Sequence, residues 1–283
     1  MDYDKGSVKE FDQNWLKRKE TTYTHWTRGN PENQIQLAFR NHWITFNELL
    51  DGRVGDKKCL EIGCGRGSLS AYFADDGWDC TLLDISSTVI DQAKVAFDAA
   101  KLKANFLVAD CNKMPIEDNS YDLIFSIGLL EHFADSKNVI SEQIRILKPG
   151  GLFIAYVVPE LKTNIQKDFN WVNELLEVVY EDKIHQKNKK SEIFRSDALS
   201  AGYVEILEEL KLNEINSFGS YPLPMISYSP SFPFTLLPKK VEKKLTEIFS
   251  KWLENRKKDT GENPWKCDEK YGQAFVISGR KNK

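Results

Sequence analysis

Between Lys57 and Val158 short apolar runs alternate with longer amphipathic spacers, and this alternation constrains the fold more than any other feature of the chain. The pattern predicts strands over Lys58–Ile62, Asp79–Asp84, Asn105–Ala109, Tyr121–Ile127 and Gly151–Val158. Strands joined by helical spacers pair in parallel through crossovers, so the expected fold is α/β, a Rossmann-like doubly wound sheet with helices on both faces. The spacer Thr88–Ala100 is amphipathic and preceded by Ser86 and Ser87 as cap candidates. The spacer Ser136–Leu147 runs into Lys148-Pro-Gly-Gly151, where proline and glycine should stop the helix and turn the chain into the fifth strand.

The first strand ends in an acid and then in alternating glycines, Glu61-Ile-Gly63-Cys-Gly65-Arg-Gly67. Missing side chains let a backbone turn tightly and approach a ligand, and the helix expected from Ser68 would aim its first N–H groups at the crevice over the strand ends. A dinucleotide fingerprint needs glycine at positions one, three and six of this loop. The sixth position is Ser68, which argues against a nicotinamide enzyme.

At 283 residues the chain suits one large α/β domain with additions. A net charge of -3 gives no global reason to bind nucleic acid. The polar start, Met1-Asp-Tyr-Asp-Lys-Gly6, and the lack of any apolar run of membrane-spanning length predict a cytoplasmic protein. Five cysteines, none spaced Cys-x-x-Cys, read as small buried hydrophobes, and no metal site is expected.

From Cys59 to Pro159 the chain resembles the class I S-adenosylmethionine-dependent methyltransferases. The likeness rests on Glu61 with Gly63, Gly65 and Gly67, on the acids ending the second and third strands, Asp84 and Asp110, and on the Pro-Gly-Gly turn. It implies a seven-stranded sheet whose last strand, Tyr271–Gly279, is antiparallel, and S-adenosyl-L-methionine as cofactor. The glycines would meet the cofactor's amino acid tail and ribose, and Asp84 is placed to accept from both ribose hydroxyls. Asp110 and the backbone of Cys111 would address the adenine edge, with Ile85 and Met114 covering its faces and Ile127 near by. Glu61 serves either the tail, through water, or the orientation of the loop. Enzymatic methyl transfer to a small organic acceptor, at nitrogen or oxygen, is the expected activity.

Ser126-Ile-Gly-Leu-Leu-Glu131-His132-Phe133 ends the fourth strand and resembles a pair found in small-molecule and lipid methyltransferases. His132 is a candidate general base and Glu131 its neighbour. The bland reading has Glu131 capping the next helix and His132 packing beneath the cofactor. Partial likeness to lipid cyclopropane synthases keeps carbon transfer at a membrane surface as an alternative, and a non-catalytic cofactor-binding module is another.

Residues 1–50 read as a helical, aromatic lid, residues 51–160 as the cofactor-binding core, and residues 161–283 as the completion of the sheet with an insertion at about 219–268. In the lid, Ile35, Phe39, His42, Trp43, Phe46 and Leu50 share a helical stripe, Phe11 and Trp15 lie in an earlier helical piece, and Tyr23–Pro31 between the two reads as a flexible cover. Tyr23, His25 or Trp26 would close over the methionine moiety, and Arg28 would meet its carboxylate. The alternative is plain aromatic packing. Asn164–Tyr180, Ser196–Leu210 and Lys239–Lys258 should be helical, and Leu212–Phe218 a strand. In the last helix Val241, Leu245, Ile248, Phe249 and Trp252 form one side, and over Pro238–Lys258 eight Lys or Arg face three Glu. That helix reads as a cap over an apolar acceptor pocket or as weak contact with a membrane surface.

Overall fold

A computed structural model describes residues 25–180, 194–227 and 237–283. Among them, helix α1 (Gln34–Leu50) precedes β1 (Lys58–Ile62), α2 (Ser68–Asp75), β2 (Asp79–Asp84), α3 (Ser87–Ala100), β3 (Asn105–Val108) and β4 (Tyr121–Ile127). A 3₁₀ turn at Leu130–His132 leads to α4 (Lys137–Ile146), β5 (Leu147–Val157), α5 (Ile165–Asp168), α6 (Asn170–Val179) and α7 (Ser200–Glu209). β6 (Asn213–Ser220), α8 (Lys239–Thr260), β7 (Lys266–Cys267) and β8 (Ala274–Arg280) complete the chain.

The strands lie in the order β3-β2-β1-β4-β5-β8-β6-β7. β1 to β5 are parallel, and β8 runs antiparallel between β5 and β6. The parallel strands are apolar on both faces because helices cover both, which divides the core into two clusters, one around Phe46, Phe73 and Phe125 and the other around Leu60, Ile140 and Phe153. Expected strands and observed strands agree closely over β1 to β4.

Several details differ from expectation: the expected helix Asn164–Tyr180 is split into α5 and α6, the last strand is Ala274–Arg280, and four others have a local reason. β5 begins at Leu147 rather than Gly151, because Leu147 pairs with Tyr121 and the ladder is irregular just beyond, where Pro149 has no N–H to give. The sheet gains a two-residue strand, β7, pinned on Gly219 and Ser220, so among the described residues it has eight strands rather than seven. α7 starts at Ser200; the Ser196 hydroxyl bonds the Ala198 N–H in a turn instead of capping the helix. On α8 the buried stripe is Glu242, Thr246 and Leu253, with Val241, Ile248 and Trp252 exposed.

That stripe seats α8 on α1. Phe249 and Leu253 pack with Ile35, Leu37 and the fully buried Trp265, and the Glu242 carboxylate accepts the Gln34 N–H at 2.8 Å. The carboxylate thus satisfies an orphan donor at the positive end of α1. Phe11, Trp15 and Tyr23 lie outside the described residues.

At the other end of α1, the buried Arg280 of β8 donates to the carbonyls of Leu49 (3.1 Å), Leu50 (2.6 Å) and Gly150 (3.1 Å). The last strand therefore holds the helix that covers the sheet. Arg280→Ala orphans carbonyls at a helix C-terminus and should cost about 2–4 kcal/mol. In a thermal melt followed by circular dichroism this is a fall of roughly 5–10 °C, and an unchanged midpoint would show that the latch contributes nothing.

Candidate functional site

The order of the strands reverses direction between β1 and β4, and in open α/β sheets the crevice at that switch point, over the carboxyl ends, is where ligands bind. Here the loop between β1 and α2 crosses the crevice. Gly63, Gly65 and Gly67 all have positive φ, at 65°, 53° and 66°. Gly67 is the N-cap of α2, and a Cβ there would overlap the Leu82 side chain and stand 2.9 Å from the Phe97 ring. A Cβ on Gly63 would press on Leu129 at 3.1 Å. At Gly63 and Gly67 the backbone has no room for a side chain.

Asp84, the last residue of β2, is fixed from two sides: Oδ2 accepts the Gly65 N–H at 3.2 Å and Oδ1 the Ser86 N–H at 3.0 Å. A carboxylate presents about four lone-pair sites, enough for these bonds and a vicinal diol. Glu61 points the other way. Its Oε2 accepts from the N–H of Ser70 at 3.1 Å and from its hydroxyl at 2.5 Å, which ties the first turn of α2 to β1. Complete burial raises its pKa to about 7, against the lowering effect of the Ser70 bonds. Of the two roles read from the sequence, this geometry is that of the group that orients the loop.

Around the rim beside Asp84, Ile85 is 38% exposed and Val108, at the end of β3, 50%. Apolar side chains left open at strand ends suit a flat aromatic ligand. Asp110 forms a turn, its Oδ1 accepting the backbone and side-chain N–H groups of Asn112 at 2.8 Å each. Cys111 and Met114 are buried beneath. Val108 escaped the sequence reading, although its place at the end of the third predicted strand was the signal that could have found it.

β4 delivers Ile127, Gly128, Glu131 and His132 to the same end of the sheet. His132 Nδ1 lies 2.8 Å from the carbonyl oxygen of Phe194. A carbonyl only accepts, so Nδ1 carries the proton and the neutral ring has its lone pair at Nε2. Burial, more than any neighbouring charge, lowers the His132 pKa below the ordinary imidazole value.

Glu131 is fully buried, and neither carboxylate oxygen has a hydrogen-bond partner of normal geometry among the described residues. Burial raises its pKa to about 7, offset in part by the backbone N–H groups of Glu131 and Val158 and by Arg195. It does not cap α4, whose N-cap is Ser136.

The charge of Glu131 acts on Tyr156 and Tyr203, adding to the burial that raises their pKa, and Tyr156 begins an aromatic group that the sequence did not single out. The His42 ring lies 4.4 Å from that of Tyr156, Tyr221 stacks on Trp265 at 4.6 Å, and the Trp265 indole donates to His42 Nδ1 at 3.0 Å. Burial drives the His42 pKa down to about 3, so this histidine stays neutral. His42 was read as part of a packing stripe, and it is buried; its partners come from more than a hundred residues away, which no local pattern reveals.

The lid residues separate. The buried His25 stacks on Phe39 and its Nδ1 meets the Ser68 hydroxyl at 2.7 Å, directly at the glycine loop. Trp26 packs against the core with its indole nitrogen buried. Arg28 has a partner of its own. Its Nε pairs with Asp75 at 2.8 Å, at the far end of α2, about 10 Å along the helix from Ser68, and its guanidinium lies over Trp26. In this structure it faces away from the glycine loop, because Asp75 offers it an exposed carboxylate.

Comparison with known proteins bears on the fold. The family profile of methyltransferase domains matches residues 60–155. A sterol 4-C-methyltransferase of Caenorhabditis elegans is 37% identical over 108 residues, 38% of this chain and 32% of that protein. A ubiquinone biosynthesis O-methyltransferase of Coxiella burnetii is 34% identical over 119 residues, 42% and 47% of the two chains. The chain thus spans a third to a half of the length of these curated relatives. A structure of a putative S-adenosyl-L-methionine-dependent methyltransferase from Methanococcus maripaludis aligns over 100% of this chain and 95% of its own with a TM-score of 0.51 at 18% identity, a likeness of fold.

Residues 60–155 of this chain match the methyltransferase domain family, on a sheet with the fold of class I methyltransferases. The cofactor of such a domain is S-adenosylmethionine, and the residues present fit it. The anchored Asp84 would suit a ribose diol, and the open side chains of Ile85 and Val108 would suit adenine, at the crevice that the glycine loop crosses. In this methyltransferase domain no phosphate clamp is needed, and the loop that lacks the dinucleotide glycine is consistent with that.

Proposed function

We propose that the protein is a methyltransferase acting on oxygen or nitrogen of a small organic acceptor. When bound, the cofactor's sulfonium supplies an activated methyl group. The protein's part is to orient the acceptor, exclude water and take up the proton that the acceptor heteroatom loses. His132 suits that proton uptake, because its own proton is held on Nδ1 by the Phe194 carbonyl and burial keeps the ring neutral. That bond is the observation that carries the reading. Glu131, buried and half-protonated near neutral pH, is a polar contact for the acceptor or for its neighbours Tyr156 and Tyr203.

Transfer to carbon is the second reading, and the relative named for a sterol carbon favours it. One experiment separates the readings. Methyl-labelled S-adenosylmethionine is incubated with the protein and fractionated metabolite and lipid extracts. Label on an oxygen or nitrogen of a small molecule is expected; label on carbon supports the second reading, and absence of transfer despite cofactor binding supports a non-catalytic module.

With the acceptor so found, the pH profile tests His132. A base is active when neutral, so kcat/KM should fall as pH drops through a pKa below the usual imidazole range, and be level above it. His132→Ala should lower kcat by roughly 10²–10⁴-fold and remove that limb, and full turnover in the variant would end the base assignment.

A further inference from the structure

α6 and α8 present an apolar face that the methyl-transfer reading does not use. No residue of α6 is buried, and Trp171, Leu175 and Val178 form an outward stripe, with Trp171 62% and Val178 70% exposed. α8 adds Val241, Ile248 and Trp252. Between the helices lies a groove of about 440 Å³ that Ile226 and Leu237 help to line, with Lys240 and Lys244 beside it. On the α6 side Val172 and Leu176 line the groove, and open apolar side chains around such a groove mark a contact site. Its charge says with what. α8 carries eight Lys or Arg against four acids, and one of the acids, Glu242, is turned inward onto α1. Glu174 and Glu177 on α6 and Glu247 on α8 lie nearby, so the attraction rests on the lysines of α8.

We propose that this face docks on the surface of an anionic lipid bilayer. Aliphatic residues would enter the acyl boundary, Trp171 and Trp252 would lie at headgroup level, and the lysines would meet lipid phosphates. The contact is peripheral: among the described residues no helix is long and apolar enough to cross a membrane. It stands independently of the methyl-transfer reading, yet the two sites adjoin. The strap 221–227 carries Tyr221 into the aromatic group and Ile226 into the groove, and five residues span at most about 17 Å. A lipid-dissolved acceptor would then have a short path from bilayer to site.

The test is sedimentation of the full chain with vesicles of phosphatidylcholine alone and of equal parts phosphatidylcholine and phosphatidylglycerol. Binding is expected on the anionic vesicles only, weakening as salt is raised. Lys240→Glu with Lys244→Glu should lower the partition coefficient at least tenfold, and so should Leu175→Glu with Val178→Glu. All four positions are on the surface, and an unchanged thermal melt confirms that each variant folds. No binding to anionic vesicles at low salt, or binding that neither variant weakens, overturns the proposal. So does a dimer in sedimentation equilibrium that Leu175→Glu with Val178→Glu dissociates, since the face would then be a contact between two copies of the chain.

Discussion

Replacing Asp84 by alanine is expected to weaken binding of S-adenosylhomocysteine by two to four orders of magnitude. A ribose diol on a carboxylate makes two charge-assisted hydrogen bonds worth about 1.5–3 kcal/mol each, and every 1.4 kcal/mol is tenfold in affinity. The loss is compounded because Asp84 also receives the Gly65 N–H at 3.2 Å and so ties the glycine loop to β2. Isothermal titration of both proteins measures the ratio. Asp84→Asn keeps one acceptor oxygen and should fall between them. A loss below tenfold in Asp84→Ala would remove the diol assignment.

Gly67→Ala should be the most damaging single substitution in the loop. The φ of 66° costs an L-residue about 1–2 kcal/mol, and the overlap of the new methyl with Leu82 and Phe97 adds about 1–3 kcal/mol. A melting point lower by roughly 5–15 °C is expected. Gly77 provides the control, since its φ is 81° but nothing lies within 4 Å of the added Cβ. Gly77→Ala carries the backbone cost alone, and the difference between the two variants isolates the packing contribution. Equal melting points would mean that the loop relaxes away from Leu82.

The two loops at the crevice over β1 and β2 were legible in the sequence because the chemistry that makes them is local. Alternating glycines after an apolar run, and an acid at the end of the next run, occupy the ends of β1 and β2 as their spacing implies. Ser86 as the cap of α3 was readable for the same reason, its hydroxyl receiving the Val89 N–H at 3.2 Å. What the sequence did not disclose depends on contacts across the fold. Arg28 carries the right charge for a carboxylate, but Asp75 competes for it, and only the packing of the segment on α2 decides which it meets. The His42, Tyr156, Tyr221 and Trp265 group draws on α1, β5 and the two sides of the insertion. On α8 the apolar side read from periodicity leaves Val241, Ile248 and Trp252 exposed, and the neighbouring stripe packs instead: Glu242, a residue type seldom found in a core, is buried because it serves the α1 N-terminus.

Most direct is calorimetric titration of the unmodified chain with S-adenosylhomocysteine. Saturable binding at one molecule per chain, competed by S-adenosylmethionine and not by NADH, is the expected result. Absence of heat and of competition at millimolar ligand would contradict the assignment of the crevice between β1 and β4 as the cofactor site.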